Sequence, residues 1–268
     1  MKNKRVEFYT NTIFKLIDNK EASILVVGGG EVDKGVFLNL GYKNVVISNL
    51  DDRMDGEKLF HPYKWCFQNA ENIDYEDFSF DFVVIHEALH HCHSPHKALL
   101  EMYRVASVGV ICFESRDNLI IRMAVKLGLT QEYELASVFY NGFSHGGVEN
   151  TEIPNYIFRW TEREIEKTIK CYAPHVKHQF KYIYGYDFPQ ALKLSKRRLH
   201  IILAHLLEIP FLIIAKILPK HQNLFAFYIN KPSSCKYLHT WLKLDHNGKL
   251  CPNVEQMNMI YKPKEQLR

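Results

Sequence analysis

Apolar and polar residues change period several times along this chain, and each change marks an element. Over residues 6–17, VEFYTNTIFKLI, the side chains of Val6, Tyr9, Ile13, Phe14 and Ile17 recur at helical spacing, which predicts an amphipathic leading helix. SILVVGGG follows, a short β-branched run ending in glycines; that is the pattern of a buried strand entering a tight turn. KGVFLNLGY reads as a helix closed by Gly41, NVVISNL as a second strand and FDFVVI, from Phe80 to Ile85, as another. SPHKALLEMYRVA is then a helix and VGVICFES a further strand. Strands alternating with helices imply parallel βαβ units, so the expected fold is a doubly wound α/β sheet.

Later segments change character. RWTEREIEKTIKCY places Thr161 as N-cap with Glu164 three residues on, a capping box that opens a helix. HQFKYIYGYDF and LFAFYINKP are aromatic-rich strand candidates on either side of an apolar insertion. Its centre, LHIILAHLLEIPFLIIAKIL (199–218), is as long as a membrane span. It nevertheless carries His200, His205, Glu208 and Lys216, and Pro210 interrupts it. It reads as a buried or lid helix pair, or as an interfacial helix in peripheral contact with a membrane. Residues 1–232 are expected to form one domain, and the mixed tail 233–268 matches no element.

Composition narrows the class. The 268 residues are 47% hydrophobic and 24% charged, enough for one large domain with an appended lobe. A net charge of +4 without a clustered basic stripe gives no reason to expect a nucleic-acid partner. The six cysteines are scattered, with no C-x-x-C pair, and read as reduced thiols. The N-terminus lacks the apolar core of a signal peptide. The expected setting is cytoplasmic, with the inner membrane face as the place for any peripheral contact.

HEALHHCHSPH (86–96) contains a literal H-E-x-x-H. In a zinc hydrolase this motif lies within a helix, so that both histidines reach one ion. Here FDFVVI runs directly into His86 as a strand, and Ser94-Pro95 signals a helix start only afterwards. The motif therefore falls in the turn between strand and helix, and no metal site is assigned. A metal assembled otherwise, from His90, His91, Cys92 or His93, stays open beside a plain polar loop.

The first strand ends in Gly28-Gly29-Gly30, followed by Glu31. A strand that turns through glycines into a helix lets backbone N–H groups approach a ligand. The dinucleotide fingerprint needs a glycine where this chain has Asp33, which disfavours a nicotinamide enzyme. The second strand ends at Asn49-Leu50-Asp51, about 20 residues on, where a ribose would be held at the sheet's carboxyl edge. Asn49 and Asp51 are alternative acceptors there.

The ordered series ILVVGGGEV, VVISNLD, QNAENIDYEDFSFDFVVIHEALHH and SPHKALLEMYRVASVG resembles a class I S-adenosylmethionine-dependent methyltransferase, of the methyltransferase type 11-like group, over roughly residues 22 to 115. The resemblance implies a Rossmann-like, mostly parallel seven-stranded sheet and S-adenosylmethionine as cofactor. It implies that Gly28, Gly29, Gly30 and Glu31 surround the methionine part and that Asn49, Leu50 and Asp51 stand at the ribose. Asn69 and Ala70 would lie beside the adenine, and His86 at the strand end facing the cofactor. A histidine on this edge could take a proton from a hydroxyl attacking the methyl group. His90 or His91 is the expected base, with Glu87 orienting it.

On the acceptor side, Glu114 to Asn118 face the same edge, and NGFSHGGVENTEIPNYIFRWTERE supplies His145, Glu149, Asn150, Tyr156, Arg159 and Trp160. Long polar-aromatic loops over a cofactor domain usually build the acceptor pocket. Aromatic faces interleaved with Asn, Glu and His suit a polyol or sugar. The segment resembles those of methyltransferases from surface-polysaccharide clusters. The expectation is O-methylation of a sugar or other small hydroxyl acceptor, in surface-polysaccharide biosynthesis; a cofactor-fold domain that binds without catalysis is the alternative.

Overall fold

Alternate residues of the first strand face opposite sides of the sheet, and each side has its own core. In this computed structural model, which describes residues 3–187, 198–232 and 237–261, β1 (Ile24–Val27) is buried at all four positions. Leu25 and Val27 join one apolar cluster with Leu99, Met102, Ile165 and Phe225. Ile24 and Val26 join the other, with Tyr9, Ile13, Phe37 and Ile47. A strand covered on both faces must be apolar throughout, as in a parallel sheet.

The remaining strands are β2 (Val45–Asn49), β3 (Lys64–Phe67), β4 (Phe80–His86), β5 (Ala106–Glu114), β6 (Gln179–Gly185) and β7 (Leu224–Asn230). They form a seven-stranded sheet in the order β3-β2-β1-β4-β5-β7-β6. β1 pairs in parallel with both β2 and β4, and only β7 runs antiparallel to its neighbours. The expected doubly wound, mostly parallel sheet is what forms. β3 has no counterpart in the sequence reading, because KWCF is short and its outer residues are exposed.

Local signals explain the helix ends. α1 (Lys4–Leu16) starts at Asn3, whose side chain accepts from the N–H groups of Arg5 and Val6. Tyr9, Ile13 and Ile17 are buried as their spacing predicts, whereas Phe14 stays exposed on the far side. α2 (Glu31–Leu40) ends at Gly41 in the left-handed conformation. α3 is Gly56–Phe60. α4 (Pro95–Val105) has Ser94 as N-cap and Pro95 in its first turn, which places H-E-x-x-H outside it. α5 (Leu119–Lys126) and α6 (Leu135–Tyr140) belong to the segment above the sheet edge. In α7 (Glu162–Tyr172) Thr161 accepts from the Glu164 N–H. The Glu164 carboxylate goes instead to His96 at 3.1 Å, so only half of the expected capping box forms.

Residues 199–217 of the apolar insertion lie in one continuous helix, α8 (Arg198–Ile217), with Pro210 inside it, where a helix pair was expected. It presents Ile202, Leu206, Ile209, Ile213 and Ile217 to solvent. No described helix is long and apolar enough to cross a membrane. Residues 190–197 of the insertion, and Cys235 in the tail, lie outside the described residues. The tail does contain elements: a β8 (Leu242–Leu244) and β9 (Leu250–Pro252) hairpin and α9 (Val254–Ile260). It is tied to the main body where Lys177 N–H donates to Tyr237 O at 2.7 Å.

At the start of β6, the Tyr103 hydroxyl lies 2.7 Å from His178 Nε2. Burial, helped by the charges of His175 and His239, lowers the His178 pKa to about 4. The unfolded chain takes up this proton near the ordinary value of about 6.5, so it binds more protons than the folded chain between those values. Stability contributed by this group is therefore present at neutral pH and is lost as pH falls from about 6.5 toward 4. Urea unfolding of His178→Asn across this range should give a flatter stability–pH curve than the parent. An unchanged slope would assign the acid sensitivity elsewhere.

Candidate active site

The glycine turn after β1 is set by close packing from two directions. Gly28 has φ +61, and a Cβ there would stand 2.7 Å from Ala88 Cβ in the turn after β4. A Cβ on Gly29 would meet Ile47 and Val26 at 2.8 Å, whereas one on Gly30 would meet nothing within 4 Å. Gly28 thus lets two turns nest, Gly29 packs on the sheet, and Gly30 faces open space. Asp33, in the place of a fingerprint glycine, reaches back to accept from Gly30 N–H at 2.8 Å. Its other oxygen accepts from the buried Tyr9 hydroxyl at 2.7 Å. Burial raises the Asp33 pKa despite the charge of His86 and these hydrogen bonds.

Above this turn opens a cleft of about 370 Å³. One wall is the cofactor edge expected from the sequence: Gly28–Gly30, Asn49–Asp51, and Asn69 with Ala70. The facing wall comes from the segment after β5 and includes Ser137, Gly147, Glu149 and Asn150. Asn150 Nδ2 spans the cleft to Leu50 O at 3.4 Å. Glu87, His91 and Cys92 contribute from the histidine turn.

Two cofactor-side residues take different places from those expected. Glu31 does not line the cleft. His86 faces the other side of the β4 end, where its ring stacks on Tyr9 with centroids 4.3 Å apart. The two acceptors at β2 also differ. Asn49 donates to Gly29 O at 2.9 Å and accepts from Asp51 N and Trp65 Nε1. Its carboxamide is consumed in holding the turn. Asp51 keeps its carboxylate on the cleft, paired with Arg53 at 2.6 Å. The hydrogen bond from Arg53, with a smaller contribution from the charge of His145, holds the Asp51 carboxyl below the usual range. Asp51 is therefore the carboxylate that the end of β2 presents to the cleft.

The histidine turn is organised by two carboxylates, neither of them Glu87. His90 lies 2.6 Å through Nδ1 from Glu114 and 3.1 Å through Nε2 from Glu134. Glu114 uses its other oxygen to accept from Leu89 N–H at 2.7 Å. Burial alone would lower the His90 pKa, but the charge and hydrogen bond of Glu114, then those of Glu134, raise it to about 10. With both ring nitrogens on carboxylates and 7% exposure, His90 does not line the cleft where the expected base would have to stand. Glu87 turns outward at φ +50 and pairs with Arg5 at 2.5 Å, so it orients neither histidine.

His91 is the member of the pair that reaches the cleft. Its Nδ1 is 3.2 Å from Gly147 O and its Nε2 is 3.3 Å from Glu134. Burial, then the neighbouring His90 charge, lowers its pKa. His93 pairs with Glu149 at 3.2 Å and His96 with Glu164, so the histidine run does not converge on one point. Burial, reinforced by nearby carboxylates, pushes the Cys92 thiol up to about 12.

The acceptor residues read from the sequence divide in the same way. Glu149 and Asn150 line the cleft, both in left-handed conformation. His145 bonds to Ser144 at 2.8 Å on the rim near Asp51. Tyr156 packs edge-on against Tyr133, and Arg159 donates to the backbone oxygens of Ile157 and Gln131. Those two brace the loop rather than line the cleft. Trp160 is fully buried and packs against Phe158, His96 and Phe227. It is a core anchor. Sequence does not single out Glu134 and Asn155, because one of two Glu residues in QEYELAS and an Asn in IPNY carry no pattern.

The doubly wound sheet with a glycine turn after its first strand is the Rossmann-like fold seen in methyltransferases. Residues 27–113, about a third of the chain, match the family described as Methyltransferase domain. Solved structures share the fold. One is a SAM-dependent methyltransferase of Thermotoga maritima described as a possible histamine N-methyltransferase, 16% identical, TM-score 0.50, over 85% of this chain and 89% of that one. Another is the Haloferax volcanii complex containing the Trm112 methyltransferase activator, at 11% identity, TM-score 0.55, over 86% and 91%. A third is a protein from Pyrococcus horikoshii, at 12% identity, TM-score 0.51, over 86% and 90%. No curated protein matches.

The glycines separate stability from binding. Gly29→Ala should lower stability by about 1–3 kcal/mol, because its methyl must displace packed side chains. Gly30→Ala should keep the parent Tm while weakening S-adenosylmethionine at least about tenfold in calorimetry, an affinity change of ~1.4 kcal/mol. Equal affinity in Gly30→Ala would place the cofactor elsewhere.

Proposed function

We propose that this chain transfers a methyl group from S-adenosylmethionine to the hydroxyl of a small, polar acceptor, of the carbohydrate class. The observation that carries the reading is the two-walled cleft. The glycine turn and Asp51 form one wall, and His91, Ser137, Glu149 and Asn150 face them with polar groups. The open space at Gly30 fits a cofactor that approaches the backbone closely. Gly28–Gly30 would hold its methionine part, Asp51 its ribose and Asn69-Ala70 its base. When bound, it supplies an electrophilic methyl on a sulfonium.

The chain's own task is then positioning and proton disposal. With the cofactor so held, the acceptor oxygen would take its methyl group while the C–S electron pair stays on sulfur. The hydroxyl proton would leave toward His91, the member of the histidine pair that lines the cleft. Glu149 and Asn150, held in left-handed conformation by the bracing of their loop, would select among acceptors. The exposed apolar stripe of α8 supports a lipid-linked form of such an acceptor at a membrane surface.

Radiolabelled S-adenosylmethionine offered with glycan, phenolic and amine acceptors tests the reading. We expect label in an O-methyl group of a hydroxylated acceptor, and Asp51→Ala should raise the cofactor KM at least tenfold (about 1.4 kcal/mol). Label confined to amines would overturn the oxygen assignment. Cofactor binding with no transfer to any of them would favour a domain that binds without catalysis.

A further inference from the structure

Hydrogen-bond chemistry leaves the histidine cluster with a problem that a single proton does not solve. Gly147 O can only accept, so His91 Nδ1 carries the hydrogen in their 3.2 Å contact. In the neutral ring, Nε2 then holds a lone pair, yet it faces Glu134 Oε2 at 3.3 Å. His90 repeats the pattern: Nδ1 faces the Glu114 carboxylate at 2.6 Å, and Nε2 faces the same Glu134 oxygen at 3.1 Å. A proton on His90 settles its own two contacts but leaves His91 Nε2 facing Glu134 with no hydrogen between them, and a second proton on His91 would place two cations side by side, with centroids 4.7 Å apart. Three acceptor atoms from His90, His91 and Glu134 thus converge, all within 4.8 Å of one another.

We infer that His90 Nε2, His91 Nε2 and Glu134 Oε2 form a site for one divalent transition-metal ion of the zinc class. Ligand bonds of about 2.0–2.1 Å in tetrahedral geometry put neighbouring ligand atoms roughly 3.3 Å apart, close to the 3.1 and 3.3 Å found here. Two imidazoles and a carboxylate select a transition ion over magnesium or calcium. The outer contacts are those such a site requires. Each ligating ring has its other nitrogen on an oxygen acceptor, Glu114 for His90 and Gly147 O for His91, which fixes the tautomer that presents Nε2. Two carboxylates, Glu114 and Glu134, balance a doubly charged ion. Asn155, 3% exposed, bonds through Nδ2 to His90 O and Glu134, while its Oδ1 has no partner among the described residues.

Three protein ligands leave one position open, on the His91 side where the cleft lies. An acceptor hydroxyl bound there would be oriented and its proton made more acidic. That role in turnover rests on the methyl-transfer reading above; the binding of the ion does not. The H-E-x-x-H motif supplies only one of the ligands, His90, and the others are its neighbour and a glutamate 44 residues away.

The test is metal binding by the intact chain. Chelator-stripped, dialysed protein is titrated with Co²⁺ under visible absorption, and Zn²⁺ is then used in competition. We expect one Co²⁺ per chain, with ligand-field bands of a four- or five-coordinate ion, displaced by Zn²⁺. His91→Ala and Glu134→Gln should abolish the bands, and Glu114→Gln should weaken binding by about 10–100-fold. His93→Ala and His96→Ala should bind like the parent. Circular dichroism checks folding, and paramagnetic shifts of imidazole N–H protons in the unmodified Co²⁺ protein identify the ligands if a variant fails to fold. No binding, or binding that survives both His91→Ala and Glu134→Gln, overturns the site. Metal binding without methyl transfer supports the site and counts against the functional reading. Methyl transfer by a chain that binds no metal does the reverse.

Discussion

The buried imidazole of His90, held between Glu114 and Glu134, is the interaction on which the geometry of the cleft depends. Glu114 ends β5, His90 belongs to the turn after β4, and Glu134 precedes α6 in the covering segment. One side chain therefore ties two adjacent strand ends to the wall that faces them. Charges this deeply buried are tolerated only when paired and hydrogen-bonded. Glu114 meets that condition through Leu89 N–H, and Glu134 through Asn155. Removing any one partner would leave an uncompensated charge and release the covering wall.

A second network fixes the opposite wall. Tyr9 on α1 donates to Asp33, Asp33 accepts from Gly30 N–H, and the Tyr9 ring stacks on His86. The leading helix is thereby coupled to the glycine turn and to the end of β4. An aspartate where a dinucleotide site would have glycine is consequently a structural feature of this turn. It keeps the Gly30 backbone extended and its Cα face open. Asn49 completes the arrangement by bonding Gly29 O, which leaves Asp51 as the side chain that the end of β2 turns to the cleft.

Much of the fold was legible because periodicity and punctuation agree. Ser94-Pro95 starts α4, Gly41 ends α2, and the apolar run of β1 reports burial on both faces. The glycine edge of the cleft was legible for the same reason, since a strand running into three glycines has few other uses. The histidine chemistry was less so. Sequence proximity suggested Glu87 as the partner of His90, whereas left-handed backbone turns Glu87 away and long-range contacts bring Glu114 and Glu134 in. Trp160 and Arg159 looked like pocket residues because aromatic and cationic side chains in a loop signal binding. Here one anchors the core and the other saturates backbone oxygens. β3 was hidden by its length and exposure.

Both networks serve one claim: the cofactor occupies the space between the glycine turn and the segment that His90 holds above it. Ultraviolet crosslinking of labelled S-adenosylmethionine to the intact chain, followed by peptide mapping, tests it most directly. The account predicts label in peptides containing residues 27–30, 49–51 or 68–71, the cofactor wall of the cleft. Label confined to peptides outside the cleft, such as those of α8 or the β8–β9 hairpin, would contradict it.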